Sequence, residues 1–115
     1  MKTKEKEILV CRKRPGEPIA KLCRMKNTLQ AFQEEVGGRI EAVHFGGKYA
    51  LICNESGKLC ALDVNFIFGA DVIVGPALFV QTDGDKFCSI EEPADLIREI
   101  ERVNYATGKR LMEGA

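Results

Sequence analysis

Tryptophan is absent from this chain, histidine occurs once, and aromatic residues of any kind make up only 7% of its 115 positions. A single imidazole rules out any zinc pattern built on two histidines, and it leaves His44 as the sole imidazole base for a nucleophile. With so few Phe and Tyr there is no interleaved stacking platform for single-stranded nucleic acid. Net charge is missing as well, because 17 Lys and Arg balance 17 Asp and Glu. No global field exists to collect phosphates or to imitate them. Long apolar runs are also lacking: the longest uncharged stretch, Val72 to Thr82, is broken by Gly75-Pro76 and is far shorter than a membrane-spanning helix. The opening MKTKEKE carries no apolar core of a secretory leader, and the reading is a cytoplasmic protein with no membrane partner.

What is present is the material of one ordinary domain, residues 1–115, with charged ends at 1–7 and 106–115 expected to be flexible. The segments ILVCRK and IAKLCRM flank Arg14-Pro15-Gly16-Glu17-Pro18 and predict a hairpin. NTLQAFQEEVGG predicts a helix over 28–36. In it Asn27 caps, Gln30 answers in a capping box, Leu29, Phe32 and Val36 form the apolar face, and Gly37 takes the left-handed C-terminal position. The period then changes to two. RIEAVHF and YALICN join at Gly46-Gly47, and Asn54-Glu55-Ser56-Gly57 is read as a second turn leading into a strand KLCALDV. DVIVGPALFVQTD is strand-like, with Gly-Pro expected to bulge it, end it or place it at an edge. Ser89 and Glu92 frame a helix start with Pro93 in the first turn, and Leu96, Ile97, Ile100 and Val103 give a stripe over about 91–105.

These elements predict an α+β fold: a mainly antiparallel sheet of about five or six strands and two helices, in the order β-β-α-β-β-β-(β)-α, with the helices covering one face. The first five elements have the order of a β-grasp fold.

Motifs for chemistry are scarce. The five cysteines, Cys11, Cys23, Cys53, Cys60 and Cys88, are irregularly spaced. The six residues between Cys53 and Cys60 exceed the two to four that let one turn present both to zinc. The expectation is no metal, no cofactor, and a pair of cross-strand neighbours on a hairpin. A catalytic cysteine would need a thiolate beside a base: Cys88, ahead of the last helix, or Cys53 with His44 are the candidates, and packing is the stronger expectation for both. Neither Gly37-Gly38, Gly46-Gly47 nor Gly84-Asp85-Lys86 matches a phosphate-binding loop. No catalytic residue is assigned. Arg12, Lys13, Arg14 and Arg24 make the first hairpin locally basic, which supports an alternative as a nucleic-acid-associated regulator, although edge strands carry such charge without any ligand.

The motifs NTLQAFQEEVGGRIE, NESGKL, LDVN and IVGPALFV, taken in order and spacing over about residues 8–103, resemble a family known only as a domain of unknown function. Its members are small proteins of phages, prophages, plasmids and conjugative elements. The resemblance implies an accessory protein of a mobile element, acting by binding a protein or a small nucleotide-like ligand. Where the family pattern has N-P-L-N-R or similar after the turn, this chain has Leu62-Asp63-Val64-Asn65-Phe66, and the positive charge missing at 66 weakens any anion grip there. The expected ligand-binding residues are Asn54, Glu55, Lys58 and Asn65, on loops beside sheet strands. Exposed strand edges next to Gly75-Pro76 would permit a homodimer or docking on a larger complex.

Overall fold

Ile8 and Val10 are fully buried while the intervening positions are partly exposed, so the first strand presents one face to a core. This strand, β1 (Glu7–Lys13), pairs with β2 (Lys21–Lys26) as the predicted hairpin, closed by a bond from the Glu17 N–H to the Arg14 carbonyl. The structure, a computed structural model, describes residues 6–114, with side chains through residue 106. Residues 1–5 and 115, part of the two ends expected to be flexible, lie outside the described residues.

Helix α1 (Leu29–Val36) ends as expected at Gly37, whose φ of 81° and N–H bond to Gln33 O form a left-handed cap. Its start differs by one residue. Thr28 is the cap, its Oγ1 accepting from the Ala31 N–H at 3.1 Å, while Asn27 donates from Nδ2 to the Phe87 carbonyl. The Asn27 side chain is engaged by that long-range partner, so the cap falls to the threonine next to it. Phe32 and Val36 are buried, whereas Leu29 is exposed, because the apolar face reaches the sheet only from the second turn onward.

The second predicted hairpin is β3 (Ile40–Phe45) with β4 (Tyr49–Asn54). Residues 58–63 of KLCALDV are not a strand, and only Val64 enters one. Asn54 Oδ1 accepts the Ser56 N–H at 2.7 Å, and bonds from Cys60 N to Ser56 O and Leu62 N to Gly57 O wind residues 55–61 into successive tight turns. A side chain that bonds its own backbone two residues on starts a turn of this kind, and it overrides the weak apolar alternation of Leu59 and Ala61. Ala61 ends the winding with φ 55°. Cys53 and Cys60 are therefore not cross-strand neighbours: Cys53 is buried at the end of β4 and Cys60 is exposed on the turn.

The chain then forms a separate antiparallel ribbon of β5 (Val64–Phe68) and β6 (Asp71–Val74), with a register shift between Val64 and Phe66. Gly75-Pro76 ends the ribbon, and β7 (Ala77–Asp83) enters the main sheet at its centre, not its edge. The strand order is β2-β1-β7-β4-β3, with the short β8 (Lys86–Cys88) on β7, six antiparallel strands in all. The β-β-α-β-β element order is present, and β7 is inserted between the two hairpins. Because β4 and β7 are covered on both faces, they read as near-continuous apolar runs.

The helices lie on opposite faces, which corrects the expectation of one. Val80, Leu78, Ala50 and Ile52 pack under Phe32 and Val36 of α1. Tyr49, Leu51 and Phe79 point the other way, toward Phe68 and Ile73 of the ribbon and Leu96 of α2 (Pro93–Gly114). The alternation of strand side chains alone separates these two cores. Ser89 does not cap α2; its Oγ accepts the Leu9 N–H at 3.0 Å, and the helix starts at Pro93 with Glu92 O accepting from Leu96 N. This helix also runs further than 105, to Gly114.

A polar contact adds to the apolar packing of Leu96, Ile100 and Val103 in tying α2 to the sheet. The hydroxyl of fully buried Tyr49 donates to Asp95 Oδ2 at 2.7 Å, with Lys48 and Arg98 beside the carboxylate. Burial, with the Asp95 bond adding to it, pushes the Tyr49 hydroxyl far above its ordinary value. The Tyr49 hydrogen bond, with help from Arg98 and Lys48, holds Asp95 below the usual aspartate value of 3.8. A depressed folded-state value means stability that is complete above that ordinary value and fades as pH falls below it. Tyr49→Phe is expected to cost about 1 kcal/mol near neutral pH. It should also flatten the loss of stability between pH 4 and 2, as urea melts across that range would show.

Candidate functional site

The tight turn at 55–61 packs against the ribbon. Gly57 is buried so close to β6 that a Cβ there would meet Val74 Cγ2 at 2.8 Å. Lys58 Nζ donates to Asp71 Oδ1 at 2.6 Å across the same junction, and this bond raises the lysine further above its ordinary value. Between turn, ribbon and sheet lies a cleft of about 200 Å³. Its walls bring together Asn54, Glu55 and Lys58, three of the four residues expected from the sequence, with Glu41 of β3 and Asp71 of β6.

Asn54 shapes this cleft as well as lining it. Its Nδ2 donates to the Val36 carbonyl at the end of α1 and its Oδ1 holds the Ser56 N–H, so both polar ends are engaged inside the fold. The side chains of Glu41 and Glu55 are exposed and make no hydrogen bond or ion pair among the described residues. Three carboxylates thus face one ammonium, and that ammonium is already bonded to Asp71. The arrangement suits a cationic group better than a phosphate.

Asn65 is elsewhere. Its Nδ2 donates to the carbonyls of Lys13 (2.8 Å) and Gly75 (2.9 Å), and its Oδ1 accepts from Lys13 Nζ at 2.8 Å, joining the ribbon to β1. Spacing from Lys58 gave no hint of this distance, because the intervening turns reverse the chain. Glu41 and Asp71 carried no signal in sequence at all; only the register of β3 and the packing of the ribbon bring them to Glu55.

The basic residues of the first hairpin are divided. Arg14 forms a two-pronged pair with Glu35 of α1, through Nε at 3.1 Å and a terminal nitrogen at 3.2 Å. Lys13 is held by Asn65 and stands over the Phe66 ring on the ribbon side. By alternation Arg12 follows Ile8 and Val10 toward the α1 face, and Arg24 lies on the opposite face to Cys23 and Met25. No single surface gathers all four.

The cysteine candidates separate in the same way. His44 sits opposite Ala50 in register and Cys53 opposite Glu41, so the two side chains leave opposite faces of the sheet. Burial pushes the Cys53 thiol up, away from the thiolate a nucleophile needs. Cys88 lies in β8, opposite Gln81, before the chain reaches α2. Among the described residues no three His, Cys, Asp or Glu come together as metal ligands, and no helix is long and apolar enough to cross a membrane.

A two-faced antiparallel sheet, a ribbon laid across it and an open polar cleft at their junction define a small α+β domain. Residues 7–102 match the model of the family described as Domain of unknown function (DUF3846), and the chain belongs to that family. No curated protein and no solved structure matches it.

Proposed function

We propose that this protein is a non-catalytic binding module, encoded by a mobile element and acting in the cytoplasm, whose recognition site is the cleft of Glu41, Asn54, Glu55, Lys58 and Asp71. The observation that carries the reading is the convergence of one rigid turn, one edge strand and one ribbon strand on a single polar cleft. Sites of this kind need loops held by a scaffold, and both Asn54 and Gly57 fix this turn to its neighbours. Of a nucleotide-like ligand and a protein, the charge of the cleft favours a protein segment that brings a lysine or arginine side chain between Glu41 and Glu55.

A thermal-shift panel of nucleotides, cyclic dinucleotides and short lysine- or arginine-containing peptides tests this. A ligand at a hundred times its dissociation constant adds about 2.7 kcal/mol of stability. The cationic peptides are expected to raise Tm, and the double substitution Glu41→Gln, Glu55→Gln is expected to abolish the rise. A shift with nucleotides alone would replace the peptide with a nucleotide as ligand, and no shift with any member would end the reading.

A further inference from the structure

The polar cleft does not stop at Asp71. A second, largely apolar cavity of about 420 Å³ is lined by Val43, Phe45, Phe68 and Val103, and it shares Asp71 and Ile73 with the first. The two lie side by side along β3, whose trough-facing residues are Glu41, Val43 and Phe45 in turn. One end of the trough is acidic and the other is apolar.

β3 is also an edge of the main sheet. It pairs only with β4, and no other backbone bond among the described residues engages positions 40–45. About half of the backbone N–H and C=O groups of such a strand point away from its partner and are open to another chain. Its exposed residues, Glu41, Ala42 and His44, include no lysine or proline, and its one charged side chain, Glu41, faces the trough. At about 3.3 Å per residue, the strand is about 20 Å long, enough to template six residues.

From these features we infer that an extended segment of a partner protein adds to the outer edge of β3 as a seventh strand. The inference rests on the binding-module reading above and names the form of its ligand. Main-chain bonds to β3 supply affinity, and alternate side chains of the guest enter the trough. Antiparallel addition, continuing the pattern of the whole sheet, sets the last of those side chains opposite Glu41 and the earlier two opposite Val43 and Phe45. The complementary guest is therefore apolar, any, apolar, any, Lys or Arg. Glu41 and Glu55 receive the cation, and Phe45, Phe68 and Val103 receive the apolar end.

The probe is Ac-TVTVTKT-NH2, titrated into the isotope-labelled full chain and followed by NMR, with Ac-TVTVTET-NH2 as control. The lysine peptide should slow exchange of the outward amides of β3 about tenfold or more at saturation, because they gain hydrogen bonds. The glutamate peptide should bind about tenfold more weakly, and Glu41→Lys, an exposed substitution that leaves the fold intact, should reverse that preference. Perturbations confined to 54–59 and 71–74 without β3 protection would overturn strand addition while leaving the cleft as the site. Absence of any perturbation would remove both. Protection of β3 that grows with protein concentration alone, together with dimer in sedimentation, would assign the edge to a second copy and overturn the inference.

Discussion

Asn65→Ala should destabilise the protein by about 3 kcal/mol, more than any surface substitution in the cleft. The asparagine occupies the irregular position between Val64 and Phe66, where the ribbon meets the end of β1. Its amide nitrogen answers two carbonyls, those of Lys13 and Gly75, and its oxygen answers the Lys13 ammonium. Truncation takes the side-chain donor away from two part-buried carbonyls, at about 1–3 kcal/mol each. Asn65→Asp separates the contributions: it keeps and charges the contact with Lys13 but turns an acceptor on both carbonyls. Aspartate should therefore fail to restore stability. The check is a shift of the urea midpoint at constant m-value, which reports stability without a change in the surface exposed. If Asn65→Asp proved as stable as the parent, the lysine contact alone would matter.

This position also shows why the candidate site was only partly legible. The hairpins, the two helices and the class of fold follow from local signals: alternation, Pro-Gly and Gly-Gly turns, and the Gly37 cap. Asn54, Glu55 and Lys58 are close in sequence and held by one turn, so their common surface was readable. Asn65 resembles them chemically, yet its partners are 52 residues away at Lys13 and 10 away at Gly75. Nothing local encodes that. The same holds for Asn27 and Ser89, good caps by type, whose side chains are engaged by Phe87 and Leu9 through tertiary contact. Which helix covers which face was illegible for another reason: β4 and β7 are apolar on both faces, so their sequences do not record which core each residue enters.

The trough inherits its shape from these long-range contacts. Its floor is Ile73 and its far wall Phe68, both carried by a ribbon that forms no ladder with the main sheet. The ribbon is positioned instead by Asn65, by Asn104, whose side-chain oxygen accepts the Gly69 N–H at 2.7 Å, and by apolar packing on Phe45 and Phe79. Substitutions in these supports should alter binding without touching the ligand.

Gly75→Ala is the sharpest of them, with an expected loss of about 3 kcal/mol. Two costs combine. Gly75 has φ 76°, a left-handed conformation that costs an L-residue about 1–2 kcal/mol. Its Cβ would also lie 2.7 Å from Leu62 Cδ1, the tip of a half-buried side chain that must swing aside, because the backbone is held: Gly75 N donates to Asp63 O at 2.7 Å and Gly75 O accepts from Asn65. Gly84→Ala supplies the control: φ there is 64° with nothing within 4 Å, so only the dihedral cost of about 1–2 kcal/mol should appear. Adding Leu62→Ala to Gly75→Ala should recover part of the difference, and the coupling in that double-mutant cycle measures the clash. Because Gly75 is where the chain leaves the ribbon for the central strand, a backbone adjustment that relieves the left-handed φ at 75 moves β6 relative to β3. Peptide affinity in the trough should then fall in Gly75→Ala even under conditions where the protein remains folded, and Gly84→Ala, remote from β6 at the β7–β8 turn, should bind as the parent does.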